Sequence, residues 1–439
     1  REEIIMDKMA DVLGRAGAWC GQNKYLSAIK NAFQNFMPLT IAGAIGVLWC
    51  NVLVNDQTGL GLFFKPIMAL DFLNPAFQAV NFCTISCITV GITLGIAQEI
   101  GVWNMGAEKA GYIPGLVGLA AWLSVTNTSH MVEGAKEAFT GIAGNELGAT
   151  GLFTGMIIGV LSVELFCFFE KQDALKIKMP EQVPPGVARA FEVLVPATIT
   201  LIITACIGSA CYNLTGLYLN DVIKNGIQGP LGAVGATIPG VMIIYLVIML
   251  FWLVGIHGNN MLSAVKEALF TPLALENVEK FNKGEKPTNI INMYALQMWG
   301  EFGGSGVTIG LVIAIMIFGK REDNKAIATL SLVPGLFNIN ETVTFGIPMV
   351  LNPILGIPFV VAPLITIIIG YVLTVIGFCP VACLTVPWTT PPIVFGFLAC
   401  GANVMGAVTQ AILIVVSTVI YVPFLIAYEK YQNKQAAEA

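Results

Sequence analysis

The chain has 439 residues, of which 56% are hydrophobic and 11% charged, and its mean hydropathy is +0.78. These values lie far outside the range of soluble globular domains and predict an all-α, polytopic membrane protein. The net charge of −5 argues against nucleic-acid binding, and ten cysteines without a CxxC pair favour core packing, so neither a metal site nor a cofactor is predicted.

The amino-terminal segment, residues 1–30, carries five basic and four acidic residues. It contains no apolar stretch followed by a cleavage site, so no signal peptide is predicted. We expect it to form an amphipathic helix on the inner surface of the membrane.

Long apolar runs follow and predict membrane-spanning helices. In chain order they lie near residues 30–54, 76–97, 112–125, 146–169, 190–212, 232–254, 356–378 and 403–428. The first six bring the chain back to the side of the membrane on which it began, which agrees with the charges between them.

Basic residues predict the orientation. Most of the 22 Lys and Arg residues fall in five clusters, at 1–30, 171–189, 266–286, 320–325 and 430–434. By the positive-inside rule these clusters face the cytoplasm, so both termini are predicted to be cytoplasmic.

Three segments of the second half are apolar but interrupted by glycine, proline or charge: 256–275, 293–318 and 326–355. Basic clusters stand on both sides of the middle segment, so it must return to its starting side, which one straight helix cannot do. We therefore expect re-entrant hairpins or half-helices around a cavity, as in transporter binding sites. The sequence thus predicts a scaffold domain at 1–220 and a transport domain at 221–439.

His257 lies in the stretch FWLVGIHGNNML, at the end of an apolar run and between glycines. Glycines let the backbone turn sharply and let a ligand come close, so this pattern predicts an imidazole presented at a helix end. A histidine that only packs in the protein interior is the competing interpretation.

Glu341 lies in LFNINETVTFGIPMVLNPILGIPF, where Pro348, Pro353 and Pro358 break the helix, so the chain is expected to fold back near it. A carboxylate inside a membrane segment is costly and nearly always faces a cavity, a partner or a substrate. The competing interpretation is a glutamate that binds the exposed N–H groups of half-helix ends.

The stretch VPWTTPPIVFGF places Trp388 beside Thr389 and Thr390. An indole packs on the C–H face of a sugar ring while hydroxyls bond to its edge, so this stretch suits a sugar. An interfacial tryptophan in a proline-rich loop is the alternative. Glu301, in MWGEFGGSG, is a second embedded carboxylate and a lesser candidate for the key acid.

Three stretches, GIHG, FNINETVTFGIPMVLNPILGIPF and VPWTTPPIVFGF, together resemble the IIC component of the bacterial phosphoenolpyruvate-dependent sugar phosphotransferase system, in its lactose/cellobiose/chitobiose branch. The resemblance extends over essentially the whole chain. It implies a helical homodimer in the lipid of the bacterial cell (inner, plasma) membrane. Each subunit would have about ten spanning helices, two re-entrant hairpins, an amino-terminal dimerisation domain and a carboxy-terminal sugar-binding domain.

The resemblance also implies a function. The chain would bind a β-linked disaccharide of the cellobiose, chitobiose or lactose type and move it inward by an elevator-like motion. A separate cytoplasmic IIB protein with a phosphocysteine, itself supplied by IIA, would then phosphorylate the 6-hydroxyl of the sugar. The enzymatic step is therefore shared with IIB.

By motif position, Glu341 and His257 match the family's pair near that hydroxyl, where either side chain can orient the hydroxyl and accept its proton. The sequence leaves open which of the two is the base. The other residues expected to bind sugar are Asn259, Asn260, Asn340, Trp388, Thr389 and Thr390, with Glu301 as a lesser candidate.

A proton-coupled secondary transporter is the competing function, because an embedded glutamate and histidine can also relay protons. A receptor that binds sugar without transport is a third possibility. The chain has no GxxxxGK[ST] motif, no arginine ladder and no TVGYG-like filter, which disfavours an ATPase or a channel.

Overall fold

The computed structural model describes residues 15, 18–19, 22–56, 60–130, 139–180, 182–347 and 349–438. These residues are mostly helical, which confirms the predicted fold class. Within them, six helical segments are long and apolar enough to cross a membrane, or seven if one pair bent by 59° counts as a span. The segments are Lys24–Leu53, Lys65–Met105, Ala149–Glu170, Pro185–Thr215, Gly356–Val375 and Val404–Gln435, and the bent pair is Met293–Val307 with Ile309–Phe318.

The first compact unit comprises residues 22–46 and 75–233. The α-helices that lie wholly or mostly in it are α1 (Lys24–Leu48), α2 (Asn74–Cys83), α3 (Ile88–Met105), α4 (Ala107–Ala110), α5 (Ile113–Val125), α6 (Gly144–Leu147), α7 (Ala149–Glu170), α8 (Pro185–Thr215), α9 (Leu219–Ile223) and α10 (Gly229–Gly235). Its shorter 3-10 or π-helical turns are Ile85–Cys87, Asp173–Leu175 and Lys224–Gln228.

Helices α3, α5 and α7 pack against one another in this unit. Ile92 and Ile96 of α3 are fully buried. A Cβ atom at Gly155 of α7 would stand 2.2 Å from the Thr93 hydroxyl of α3. A larger residue at Gly155 would therefore push these two helices apart.

The second compact unit comprises residues 47–74 and 234–439 together with the described residues of 1–21. Its α-helices are α11 (Ile238–Leu253), α12 (Gly258–Asn282), α13 (Met293–Gly300), α14 (Ile309–Phe318), α15 (Glu322–Leu336), α16 (Glu341–Gly346), α17 (Gly356–Val375), α18 (Val394–Ala399) and α19 (Val404–Glu438). Its 3-10 or π-helical turns are Trp49–Leu53, Leu60–Leu62, Lys65–Leu73 and Ser305–Val307.

Buried amide side chains bond the backbone where helices of the second unit are interrupted. Gln410 of α19 accepts hydrogen bonds from the N–H groups of Ile393 and Gly396, at 2.7 and 2.8 Å, and donates to the Met298 carbonyl at 3.2 Å. Asn277 of α12 likewise bonds irregular backbone, including the Ala382 carbonyl at 3.0 Å. Non-helical chain can exist at membrane depth only with such partners.

Two of the predicted spans correspond to helices shorter than a standard span. The runs at 112–125 and 232–254 form α5 and α11, which are only 13 and 16 residues long. The predicted interruption within 256–275 is wrong, because α12 is one continuous helix and the break precedes it, where Gly255 has φ +80°. The numbers of spans and of re-entrant hairpins remain predictions.

A small hairpin departs from the all-α expectation. Strands β1 (Ser129–His130) and β2 (Phe139–Thr140) pair antiparallel, with Ser129 opposite Thr140 and His130 opposite Phe139. The predicted amino-terminal amphipathic helix lies mostly outside the described residues, and Pro348 also lies outside them. The proposed division into a scaffold at 1–220 and a transport domain at 221–439 remains a prediction.

Candidate functional site

A cavity of about 220 Å³ lies within the second unit. It is lined by residues at the starts of α12 and α16, at the end of α13 and in the loop before α18. All of the predicted site residues line it except Thr389 and Thr390: the lining ones are His257, Asn259, Asn260, Glu301, Asn340, Glu341 and Trp388. The roles of all nine residues remain predictions.

His257 is the N-cap residue of α12 and has a defined orientation. The Asn260 backbone N–H donates both to the His257 carbonyl at 3.0 Å and to the Nδ1 atom of its ring at 3.2 Å, and the ring packs on the Trp252 indole with centroids 4.5 Å apart. Because a backbone N–H can only donate, Nδ1 carries no proton in this bond. The neutral imidazole therefore holds its proton on Nε2.

Glu341 is the first residue of α16, and its carboxylate faces the imidazole. The Oε1 atom is 3.8 Å from His257 Nε2, and the Glu341 side chain is 47% exposed. This distance is longer than a hydrogen bond, so the two atoms are not hydrogen-bonded to each other. An oxygen atom at about 2.8 Å from both would fit between an Nε2–H donor and a carboxylate acceptor.

Glu301 is bound within the protein. Its carboxylate forms an ion pair with Lys266 and accepts a hydrogen bond from the Tyr245 hydroxyl at 2.6 Å. Lys266, only 5% exposed, also donates to Asn259 Oδ1 at 3.3 Å. A buried ion pair of this kind neutralises both charges, so Glu301 is a poor candidate for a proton acceptor.

Lys266 lies inside α12, and its ammonium pairs with Glu301. It belongs to the basic cluster 266–286 that is predicted to face the cytoplasm, but it is buried, so the prediction does not hold for this residue. The other basic residues of that cluster, Lys280, Lys283 and Lys286, follow near or beyond the end of the helix. The predicted orientation of this cluster therefore depends on Lys280, Lys283 and Lys286.

The amides of Asn259 and Asn340 converge on Ser305, in the turn after α13. Asn259 Nδ2 donates to the Ser305 hydroxyl at 2.9 Å, and Asn340 Nδ2 donates to the Ser305 carbonyl at 2.8 Å. These bonds use side-chain amides that are predicted to bind sugar hydroxyls. Asn259 and Asn340 thereby connect segments of the cavity wall, while Asn260, which also lines the cavity, is exposed.

Asn338 joins three segments at the cavity. Its Oδ1 atom accepts from the Gly303 N–H at 2.6 Å, and its Nδ2 atom donates to the carbonyls of Trp388 and Thr390 at 2.5 and 3.1 Å. Its φ of +62° lies in the left-handed region, which asparagine tolerates better than most residues. The Trp388 loop is thereby tied to the chain just before Glu341.

Comparison with known proteins identifies the family. The model of the family described as "Phosphotransferase system, EIIC" matches residues 30–363. The chain belongs to the phosphotransferase system EIIC family.

Relatives of the EIIC chain match over nearly its whole length. The oligo-beta-mannoside-specific EIIC component of Bacillus subtilis is 32% identical, with 97% of this chain and 94% of that protein covered. The cellobiose-specific EIIC component of Lactococcus lactis is 30% identical, with 97% and 98% covered. The crystal structure of the transporter ChbC, the IIC component from the N,N'-diacetylchitobiose-specific phosphotransferase system, matches with a TM-score of 0.87 and 29% identity, covering 96% and 97%.

Four polar residues that line the cavity of the EIIC chain were not predicted from the sequence. They are Lys266, Gln297, Ser305 and Gln410. Helical spacing gave a signal for Lys266, because it lies seven residues after Asn259 on one helix and so on the same face. Gln297 similarly lies one turn before Glu301. The remaining residues had no local pattern that set them apart.

Proposed function

We propose that this EIIC chain binds a β-linked disaccharide in the cavity and presents its 6-hydroxyl for phosphorylation by a phosphorylated IIB protein. Relatives named for cellobiose, oligo-beta-mannoside and N,N'-diacetylchitobiose support this substrate class. The amides, carboxylates and indole of the cavity suit a sugar, which offers hydroxyls at its edges and C–H groups on its faces.

One observation carries the assignment of roles: the Asn260 N–H holds His257 Nδ1 as an acceptor. The Nε2–H of His257 then serves as a donor to the sugar oxygen, which leaves Glu341 as the group able to accept the proton. In the transfer, an O–P bond forms between the 6-hydroxyl oxygen and phosphorus, and the S–P bond of the IIB phosphocysteine breaks. Glu341 takes the hydroxyl proton, and the cysteine leaves as a thiolate.

Trp388 supplies the stacking face in this proposal. It is 43% exposed and lines the cavity while its carbonyl is held by Asn338. The cavity volume of about 220 Å³ is below the ~300–1,000 Å³ typical of sites that enclose a small ligand. We infer that the cavity encloses one ring of the disaccharide in this conformation.

The wider mechanism is part of the same proposal. The bound sugar moves inward by an elevator-like motion of the transport domain, in a homodimer embedded in membrane lipid. The termini face the cytoplasm, where IIB, supplied by IIA, meets the loaded site. Clusters of basic residues at 171–189, 320–325 and 430–434 support this orientation.

Vesicles containing the purified chain test the proposal. With phosphorylated IIB inside, we expect radiolabelled disaccharide to accumulate as the 6-phosphate, with no dependence on a proton gradient. The competing secondary transporter would accumulate unmodified sugar, driven by the proton gradient, without IIB. Free sugar concentrated against its gradient in the absence of IIB would refute the proposed function.

A further inference from the structure

A glycine-rich turn, residues 303–306, lies between α13 and α14 and borders the cavity. Gly303, Gly304 and Gly306 have φ values of +71°, +87° and +79°, which side chains other than that of glycine rarely adopt. The sequence GGSG therefore determines the path of the chain at this point. The remaining residue of the turn, Ser305, is buried in the cavity wall.

The hydroxyl group of Ser305 is bonded to the first turn of α12. It accepts a hydrogen bond from Asn259 Nδ2 at 2.9 Å, and Asn259 is two residues after His257, the N-cap of that helix. Lys266 fixes the orientation of this amide, because its ammonium can only donate and bonds Asn259 Oδ1 at 3.3 Å. The Nδ2 group of Asn259 is thereby directed at Ser305.

The backbone of the same turn is bonded to the start of α16. The Ser305 carbonyl accepts a hydrogen bond from Asn340 Nδ2 at 2.8 Å, and Asn340 immediately precedes Glu341. The two segments are also in close contact, since a Cβ atom at Gly304 would stand 2.7 Å from the Asn340 Cβ atom. The turn therefore fixes the backbone from which the Glu341 side chain extends.

His257 and Glu341 do not set their own separation. Their Nε2 and Oε1 atoms are 3.8 Å apart and form no hydrogen bond with each other. Ser305 connects the two helix starts, through its hydroxyl on one side and its carbonyl on the other. A misplacement of about 1 Å between reacting groups can lower a rate by about 10²-fold, so this connection matters for the chemistry.

We infer that Ser305 is a positioning residue for the phosphoryl transfer, which sets the spacing between His257 and Glu341. This inference rests on the proposed function and deepens it. A positioning residue of this kind acts on the rate at saturating sugar, because it places the reacting groups and leaves the binding of the sugar to others. A residue that contacts the sugar in both ground and transition state would act on the affinity instead.

Ser305→Ala removes the hydroxyl acceptor but keeps the carbonyl that binds Asn340. In vesicles with phosphorylated IIB, we expect the rate of sugar 6-phosphate formation at saturating sugar to fall about 10- to 100-fold. The affinity for sugar, measured by calorimetry in detergent, should change by less than about 3-fold. Ser305→Cys keeps a weak acceptor, so its rate should lie between those of the wild type and the alanine variant. The cysteine variant carries the same test if the alanine variant does not fold.

A double-mutant cycle with His257→Ala separates positioning from a general loss of structure. Without the imidazole there is no longer a donor whose distance from Glu341 has to be set. Ser305→Ala should then lower the remaining rate by less than about 3-fold. Losses that multiply in the double variant would overturn the inference, because Ser305 would then act independently of His257.

Tyr421→Phe is the matched control. The buried Tyr421 hydroxyl donates to the Gly306 carbonyl at 2.7 Å, so phenylalanine also removes one hydrogen bond to the glycine-rich turn. It leaves the bonds of Ser305 to Asn259 and Asn340 in place. Its rate and affinity should stay within about 2-fold of the wild type. A rate loss equal to that of Ser305→Ala would overturn a specific role for Ser305.

The outcomes distinguish the two proposals. If the wild type forms no sugar 6-phosphate with phosphorylated IIB, the proposed function fails and this inference fails with it. If the wild type forms it and Ser305→Ala keeps a normal rate, only the role of Ser305 is overturned. An affinity loss as large as the rate loss would likewise overturn it, because Ser305 would then contact the sugar.

Discussion

The protein holds His257 more firmly than Glu341. This difference suits their proposed roles, in which His257 donates a hydrogen bond and Glu341 accepts a proton. A backbone N–H and the Trp252 indole fix the ring of His257, whereas the Glu341 side chain is nearly half exposed. A donor oriented before the substrate arrives needs no reorganisation during the reaction. Substitution of Glu341 is therefore the most direct test of the proposed proton transfer.

Glu341→Gln should nearly abolish phosphorylation while leaving the sugar bound. The amide can still bond a hydroxyl but cannot take its proton, so we expect a rate loss of about 10²- to 10⁴-fold. Affinity should fall by about 10-fold or less. Sugar 6-phosphate formation with phosphorylated IIB, and calorimetric binding, measure the two effects. His257→Gln keeps an N–H donor, so its phosphorylation rate should fall less than that of Glu341→Gln. A normal phosphorylation rate in Glu341→Gln would show that Glu341 has only a structural role.

The ion pair of Lys266 and Glu301 makes a second prediction. Lys266→Met leaves the Glu301 carboxylate, which is only 17% exposed, without a cation and should destabilise the chain by about 3 kcal/mol, the lower end of the range for breaking a buried pair. The double variant Lys266→Met/Glu301→Gln removes both charges and should recover most of that loss. Thermal unfolding in detergent, analysed as a double-mutant cycle, measures the coupling. The cycle also needs the single variant Glu301→Gln, and a double-variant loss equal to the sum of the two single losses would show that the pair is not coupled.

At the scale of helices, the interrupted elements of the second unit depend on side-chain amides. α13 and α14 bend by 59° at the turn around Ser305, and α15 stops five residues before α16 begins. Asn340 and Asn338 bond the backbone at these breaks. Short helices alone could not remain ordered at membrane depth without such bonds.

Asn338→Ala tests this dependence. The change removes three hydrogen bonds and places alanine at a φ of +62°, so we expect a loss of about 2–4 kcal/mol in stability. Asn338→Gly removes the same bonds but tolerates that φ, and should be more stable than the alanine variant by about 1 kcal/mol. Thermal unfolding measures both. Wild-type stability in either variant would contradict a structural role for these bonds.

At the scale of the whole molecule, similarity covers nearly the full chain. The match to ChbC covers 96% of it at a TM-score of 0.87, so the chain shares the fold of a IIC transporter over that part of its length. Six segments of the described residues are clearly long enough to span a bilayer. The helices α5 and α11 are shorter than a standard span, because glycines, prolines and turns limit them.

The sequence by itself determined the membrane class, the family and the regions where helices break. These features depend on local hydropathy, on glycine and proline positions and on short motifs, all of which are visible within a few turns of chain. The motifs also predicted Glu341, His257 and Trp388 as site residues, and all three line one cavity in the structure.

Only the tertiary structure decided how the polar groups of that cavity are paired. The bond that sets the tautomer of His257, the burial of Lys266 against Glu301 and the three bonds of Asn338 could not be assigned from the motifs. Most of these pairings join segments distant in the chain, and local patterns carry no information about which donor meets which acceptor across such a distance.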